Sequence, residues 1–327
     1  MKALVELSPY LENVKKPIKK ATTFSRELNN RSRKKKYVKE NLNLKNIHHG
    51  QRKLLLSEIE FLTIEYDKWK NKKDIILLYV GAAEGYHTEM LIKLFPKFEY
   101  HLYDEREFYD KLYDNKKVKI FNKYFDNKIA KTYKNKNVIF ICDIRALDIR
   151  NAIKKEIKNQ NNVVSQDMTW QQEWYNIIKP ITALFKFRLP WTSGKTKYLD
   201  GKIFYQVWQG QHSTETRLIP NGKIKEYDNT AYEERLFYFN TETRRRIYTD
   251  KLVFNDKVKD LKCYGHSYDS MSEAFILYNY LTVIKDKKSK INFEICKLGR
   301  EISASLKESG IKHPYIYEDT VLKMFKI

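Results

Sequence analysis

Cysteine is scarce in this 327-residue chain: Cys142, Cys263 and Cys296 lie far apart and form neither a CxxC pair nor a Cys/His ligand spacing. Neither a zinc site nor a disulfide framework is suggested on that ground. Long hydrophobic runs are missing too. No stretch reaches 18 apolar residues, and the first residues hold no unbroken apolar segment of the signal-peptide kind. Neither a membrane span nor export is expected, so the chain reads as a cytoplasmic protein. There is no internal repeat and no Pro- or Gly-rich linker, which argues against a string of separate modules. Acidic residues are outnumbered, 41 against 63 Lys and Arg, for a formal charge of +22. Such an excess fits a polyanionic partner, with a genome biased towards lysine codons as the alternative source of part of it.

What is present suffices for a large core, with 42% hydrophobic and 14% aromatic residues. Residues 14–46 are basic and polar with little periodicity and read as an extended arm. The division expected is an arm over 1–46 and a single domain over 47–327 with a helical C-terminal extension. Apolar residues at helical spacing predict a helix over Gln51–Trp69. The run 75–80 (IILLYV) ends at Gly81 and precedes a periodic stretch through Leu91, Leu94 and Phe95, which reads as strand, glycine loop, helix. Phe98–Tyr103, Val118–Phe121 and Asn137–Cys142 follow as strands separated by helical or polar material. Alternation of this kind predicts an α/β fold with a mostly parallel sheet. Further on, a helix over Trp170–Lys179, strands over Ile181–Phe187, Lys202–Trp208 and Thr214–Ile219, and a helix over Tyr232–Asn240 are expected. The last third is helical in pattern, at Leu277–Val283 and Ile291–Leu306.

The loop YVGAAEGYH at 79–87 lies where a strand hands over to a helix, and Gly81 and Gly85 let backbone approach a ligand closely. It lacks both the full GxGxxG pattern and the Lys-Ser/Thr of a phosphate-binding P-loop. About twenty residues on, the next strand runs into Asp104, a carboxylate placed to accept bonds from ribose hydroxyls. Asp143 ends the apolar run VIFIC, and Lys186 interrupts ITALFKF, where an amine is costly to bury without a partner.

The blocks YVGAAEGYH, HLYDER, FICDIR, LFKFRLPW and STETRL, with GQRKLLLSEIEFL before them and AYEERLFYFN after, resemble the poxvirus-type cap-specific mRNA 2′-O-methyltransferases. That family also serves as the small, stimulatory subunit of poly(A) polymerase. The resemblance runs from about Gly50 to Asn240. It implies a Rossmann-like fold that uses S-adenosylmethionine and no metal, and a catalytic tetrad at Lys53, Asp143, Lys186 and Glu215. It places Gln51, Tyr79, Gly81, Gly85, Asp104, Arg106, Phe125 and Asp143 around the cofactor, with Phe125 equally readable as a core ring. Glu84 stands where the family usually has proline. For the cap, the resemblance implies stacking on Trp191 and edge reading by Glu233, with Tyr37 as candidate for the opposite ring and Ser193 in place of a second acid. Arg145, Arg188 and Arg217 are RNA-backbone candidates, Arg217 alternatively a structural partner of Asp143 or Glu215.

The implied partners are capped mRNA and the catalytic subunit of poly(A) polymerase, and the implied location is host cytoplasm or virion. Two rival readings are a non-enzymatic RNA-binding processivity subunit and a methyltransferase of rRNA or tRNA. The intact tetrad argues against the first, and Trp191 with Glu233 against the second.

Overall fold

The computed structural model describes residues 15–18, 25–38, 50–145, 157–209, 213–244, 246–248, 261, 263–264 and 267–310. Parts of the expected basic arm, 1–14, 19–24 and 39–46, lie outside them. Along the chain come β1 (Lys15–Ile18), α1 (Gly50–Ile64), α2 (Tyr66–Trp69), β2 (Ile76–Val80), α3 (Thr88–Leu94), β3 (Glu99–Asp104), β4 (Val118–Asn122), α4 (Asn127–Thr132) and β5 (Val138–Cys142). They are followed by α5 (Ile157–Ile178), β6 (Thr182–Phe187), β7 (Lys195–Phe204), β8 (Thr216–Asp228), α6 (Asn229–Tyr238), β9 (Arg246–Tyr248), α7 (Tyr268–Asn279) and α8 (Ile291–Glu308). The described residues group into two compact units, one drawn from 65–204 and 214–234, the other from 1–64, 205–213 and 235–327.

The first of these units is built on a sheet in the order β7-β8-β6-β5-β2-β3-β4. From β4 to β6 every neighbouring pair is parallel, and β8 runs antiparallel to both β6 and β7. β2 and β5 are the unbroken apolar runs of the sequence, and four of five and five of five of their residues are buried, as strands covered on both faces require. β4 is an outer strand with no fully buried residue, and it carries Lys119. α5 packs over β5, β6 and β7. Under β2 and β3, Trp69 meets Phe95 and Phe98 edge-on at 6.3 and 4.9 Å. Strand order reverses beside β2, which pairs with β3 on one side and β5 on the other, so a crevice opens at the carboxyl ends of these strands. This is a Rossmann-like α/β architecture.

The second unit is mainly helical. α1 buries Leu55, Leu56, Ile59, Phe61 and Leu62, and α8 buries Ile295, Leu298, Ile302 and Leu306, a stripe at helical spacing. α7 is buried on all sides and carries Asp269 and Glu273 into the interior. Each is neutralised there: Arg52 grips Glu273 through Nε at 2.9 Å and Nη2 at 2.5 Å, and Arg244 stands 3.4 Å from Asp269. Trp208 Nε1 and the Tyr264 hydroxyl also donate to Glu273, at 2.7 and 2.8 Å. β1 and β9 form a short parallel pair, Lys15 opposite Arg246.

Several expectations shift. The helix expected over Gln51–Trp69 is interrupted at Glu65, whose φ and ψ of −92° and 11° leave the helical region. Its carboxylate accepts a 2.7 Å bond from the Thr182 hydroxyl and pairs with Lys68. The helix before β6 begins at Ile157, well ahead of Trp170. β7 starts at Lys195 and β8 continues to Asp228, both longer than their apolar cores suggested. Cys263 and Cys296 are joined in a disulfide, with Cα atoms 5.8 Å apart across 33 residues of sequence, a separation without motif character.

Candidate active site

The glycine loop crosses over the chain that leaves β5. Gly81 has φ of 77°, and a Cβ there would come within 2.8 Å of the Ile144 nitrogen and 2.9 Å of the Asp143 carbonyl carbon. Only glycine fits such a crossing. The loop is then tied to the end of β3: Gly81 and Ala82 both donate to the Tyr103 carbonyl, at 2.9 and 3.2 Å, and Ala83 N donates to Asp104 Oδ2 at 2.8 Å. Asp143 N donates to the Val80 carbonyl at 2.9 Å.

A cavity of about 1350 Å³ opens over these strand ends, and Gly81, Asp104, Arg106, Phe125, Asp143 and Lys186 all line it. These are residues the sequence had scattered over more than a hundred positions. Tyr79 and Gly85 are not on its wall: Tyr79 is buried in β2 with its ring 6.1 Å from His87, and Gly85 packs against Leu112 and Thr88. Phe125 lies between the cavity and the core. It touches the cavity while its ring lies edge-on to Tyr103 and Trp174, each at 5.0 Å. Trp170 was missed as a site residue. It lies parallel to Trp174 at 6.3 Å on the cavity wall, 37% exposed, and its helical spacing of four from Trp174 was the available signal.

On the cavity floor, Lys186 Nζ is 3.0 Å from Asp143 Oδ1 and donates to the Asp143 carbonyl at 2.8 Å. Lys186 and Arg217 are direct partners in the β6–β8 ladder, and Arg217 Nη1 reaches the same Asp143 oxygen at 2.7 Å. Arg217 Nη2 stands 3.5 Å from Glu215 Oε1, and Arg145 takes the other Glu215 oxygen. Arg217 is therefore a structural partner of both acids. Burial pushes the Lys186 amine below its ordinary pKa, opposed by Asp143 and Glu215 and assisted by Arg145 and Arg217. Burial would raise the Asp143 carboxyl, yet Arg217 and Lys186 together hold it below the usual range.

Trp191 is 39% exposed at the same end of the sheet, its Nε1 3.3 Å from the Thr214 hydroxyl. The Arg188 guanidinium sits 3.7 Å over the indole, close enough for a cation–π stack. Burial, then the nearby Arg145, depress Arg188 to about 10. Glu233, on α6, is pushed up by burial and drawn down by Arg188. Its neighbour Tyr232 fixes the start of α6 by donating to the Thr214 carbonyl at 2.7 Å.

Three candidates belong to the helical unit. Gln51 and Lys53 are partly exposed on α1, on either side of the buried Arg52. The Tyr37 ring lies edge-on to Phe237 at 5.0 Å.

A switch-point glycine loop, an acid on the next strand and a largely buried Lys–Asp pair on the cavity floor define an α/β protein of Rossmann-like architecture. Residues 15–306 match the Poly A polymerase regulatory subunit family, and the chain belongs to it. It is 28% identical over 231 residues to the cap-specific mRNA (nucleoside-2′-O-)-methyltransferase of Fowlpox virus (strain NVSL), covering 64% of this chain and 73% of that protein. The protein of the same name from Myxoma virus (strain Lausanne) is 26% identical over 223 residues, covering 61% of this chain and 63% of that one, just under two thirds of its length. A solved structure of the bluetongue virus RNA-capping protein aligns with a TM-score of 0.40 and 14% identity, covering 72% of this chain and 41% of that chain. No helix among the described residues is long and apolar enough to cross a membrane.

Proposed function

We propose that this chain transfers a methyl group from S-adenosylmethionine to the ribose 2′-hydroxyl next to an mRNA cap. The observation that carries the reading is the Lys186–Asp143 pair on the floor of a cavity whose wall is the switch-point glycine loop. The fit to an adenosyl cofactor is supported by the glycine loop at the switch point, by the Asp104 carboxylate at the strand end and by the aromatic wall of Phe125 and Trp170. When bound, the cofactor supplies an electrophilic methyl on a sulfonium.

The protein's part is to take the hydroxyl proton and hold the attacking oxygen in line. Lys186 is the acceptor: burial disfavours its charged form, and Arg217, drawing on the same Asp143 oxygen, weakens that carboxylate's hold on the lysine proton. The bond to the Asp143 carbonyl aims the amine. Arg145 is committed to Glu215 and positions that acid. Lys53 completes the tetrad by resemblance.

The half-exposed indole of Trp191 supports cap recognition, because a methylated guanine is cationic and gains from an aromatic face. Arg188 covers one face of that ring, leaving the other for a base. The family match supports a second role, as the regulatory partner of a poly(A) polymerase catalytic subunit in the cytoplasm or virion. Methyl transfer from labelled cofactor to short capped and uncapped RNAs tests the main reading. Transfer to the capped RNA alone is expected, and no transfer to either would leave the regulatory role.

A further inference from the structure

Asp104 has no lone pair left for a ribose. An ionised carboxylate offers about four acceptor sites. Here Oδ1 accepts from Arg106 N at 3.1 Å and Arg106 Nε at 3.0 Å, while Oδ2 accepts from Ala83 N at 2.8 Å and Arg106 Nη2 at 3.3 Å. Two of these bonds come from backbone that the loop holds in place. The other two come from a side chain that is 54% exposed, so they are the ones that can be released. A guanidinium leaving Asp104 keeps its charge and needs another anion. Glu84 supplies one, with Oε1 already 3.5 Å from Arg106 Nη1. Glu105 also lies in range of Arg106, but its carboxylate is engaged by the Tyr124 hydroxyl.

We infer that Glu84 is a cofactor-positioning residue: it takes the Arg106 guanidinium over from Asp104 as the ribose hydroxyls arrive, freeing one acceptor site on each Asp104 oxygen. This rests on the cofactor assignment proposed above and extends it to the residue that departs from the family's proline. After the transfer the guanidinium keeps Glu84 as its anion, the pair that already stands at 3.5 Å. Without Glu84 the cofactor has to break the Arg106–Asp104 pair with nothing to replace it, so its affinity falls. The pair is half-exposed and therefore screened, which sets the effect at about two- to fivefold in dissociation constant.

The test is calorimetric titration of the full chain with S-adenosylhomocysteine at low ionic strength. Glu84→Gln is expected to weaken binding about two- to fivefold, Glu105→Gln to leave it unchanged, and the melting temperatures of the ligand-free proteins to stay together. In an Arg106→Gln background the Glu84→Gln change is expected to have no further effect, because there is no guanidinium to receive. An unchanged dissociation constant in Glu84→Gln, or the same loss with and without Arg106, overturns the inference while leaving the cofactor assignment intact. Absence of binding heat in the unaltered protein overturns the assignment itself, and this inference with it.

Discussion

Lys186 and Arg217 face one another across the β6–β8 ladder and end on the same oxygen of Asp143, at 3.0 and 2.7 Å. Two cations sharing one anion divide its stabilisation between them. Arginine keeps its proton at any accessible pH, so the cost of sharing falls on the lysine.

Lys186→Ala is expected to abolish methyl transfer while leaving cofactor binding nearly unchanged, since a proton acceptor acts in the transition state. Lys186→Arg should be almost as inactive, because arginine cannot give up its proton. In the unaltered protein the lysine must be neutral to act, so kcat rises with pH through its pKa. Burial lowers that pKa, placing the rise below the range of an ordinary lysine. Substantial activity in the arginine variant would assign the proton to another group.

Arg217→Gln removes both a neighbouring charge and the competitor for Asp143, and each change favours protonated Lys186. The rise of kcat should move to higher pH. Activity near neutral pH is expected to fall, with recovery in alkaline buffer. A loss that is the same at every pH would mean that Arg217 only shapes the fold.

Trp191→Ala should weaken capped RNA by about 1–3 kcal/mol, the range for losing a base stacked on an aromatic ring. Uncapped RNA should be affected much less. Glu233→Gln should reduce discrimination between methylated and unmethylated guanosine caps, because a carboxylate prefers the cationic base. Fluorescence titrations at moderate salt, where phosphate contacts are partly suppressed, make the comparison. Equal losses on both RNAs would make Trp191 a packing residue.

Trp170 gives a direct optical readout. As the half-exposed ring on the cavity wall, it should change its fluorescence when an adenosyl ligand binds, and Trp170→Phe should remove most of that change. A full signal in the phenylalanine variant would place the ligand elsewhere.

Glu273→Gln should cost about 3–5 kcal/mol of stability, because it leaves Arg52 charged in a dry interior. Burial alone would raise this carboxyl, but Arg52 and the bonds from Trp208 and Tyr264 hold it below its ordinary value. A depressed pKa means that the contribution is fully present above the unfolded value of about 4.3 and is lost as pH falls through the folded one. The melting temperatures of the two proteins should converge in acid.

The central sheet was legible because β2 and β5 are short, wholly apolar and bounded by turn residues, a pattern that a strand buried on both faces imposes. The beginning of α5 was not, since IKNQNNVVSQ carries too few apolar residues to mark a period. β7 hid for a related reason: Lys195, Lys197 and Lys202 interrupt its apolar residues. At the site, Gly81, Asp104, Arg106, Asp143 and Lys186 on the cavity wall fall in the blocks that resemble the methyltransferases, whereas Phe125 and Trp170 fall outside them. The pairing of these residues could not be read there. Nothing in HLYDER says that Arg106 takes up the acid two positions before it, and STETRL leaves open whether its arginine reaches Asp143, Glu215 or RNA, because both are facts of side-chain reach across turns and strands.

Charge balance on the cavity floor gives the shared Asp143 oxygen a wider meaning. Lys186, Arg145 and Arg217 pair with Asp143 and Glu215, so these five groups, all ionised, carry one positive charge in excess. Neutrality is reached when Lys186 gives up its proton, the one cation of the three able to do so. An RNA phosphate brought close would cancel the excess from outside and favour the protonated amine instead. These five groups are thus electrically even in their reactive form, and how near the RNA backbone is allowed to come sets how much of that form survives.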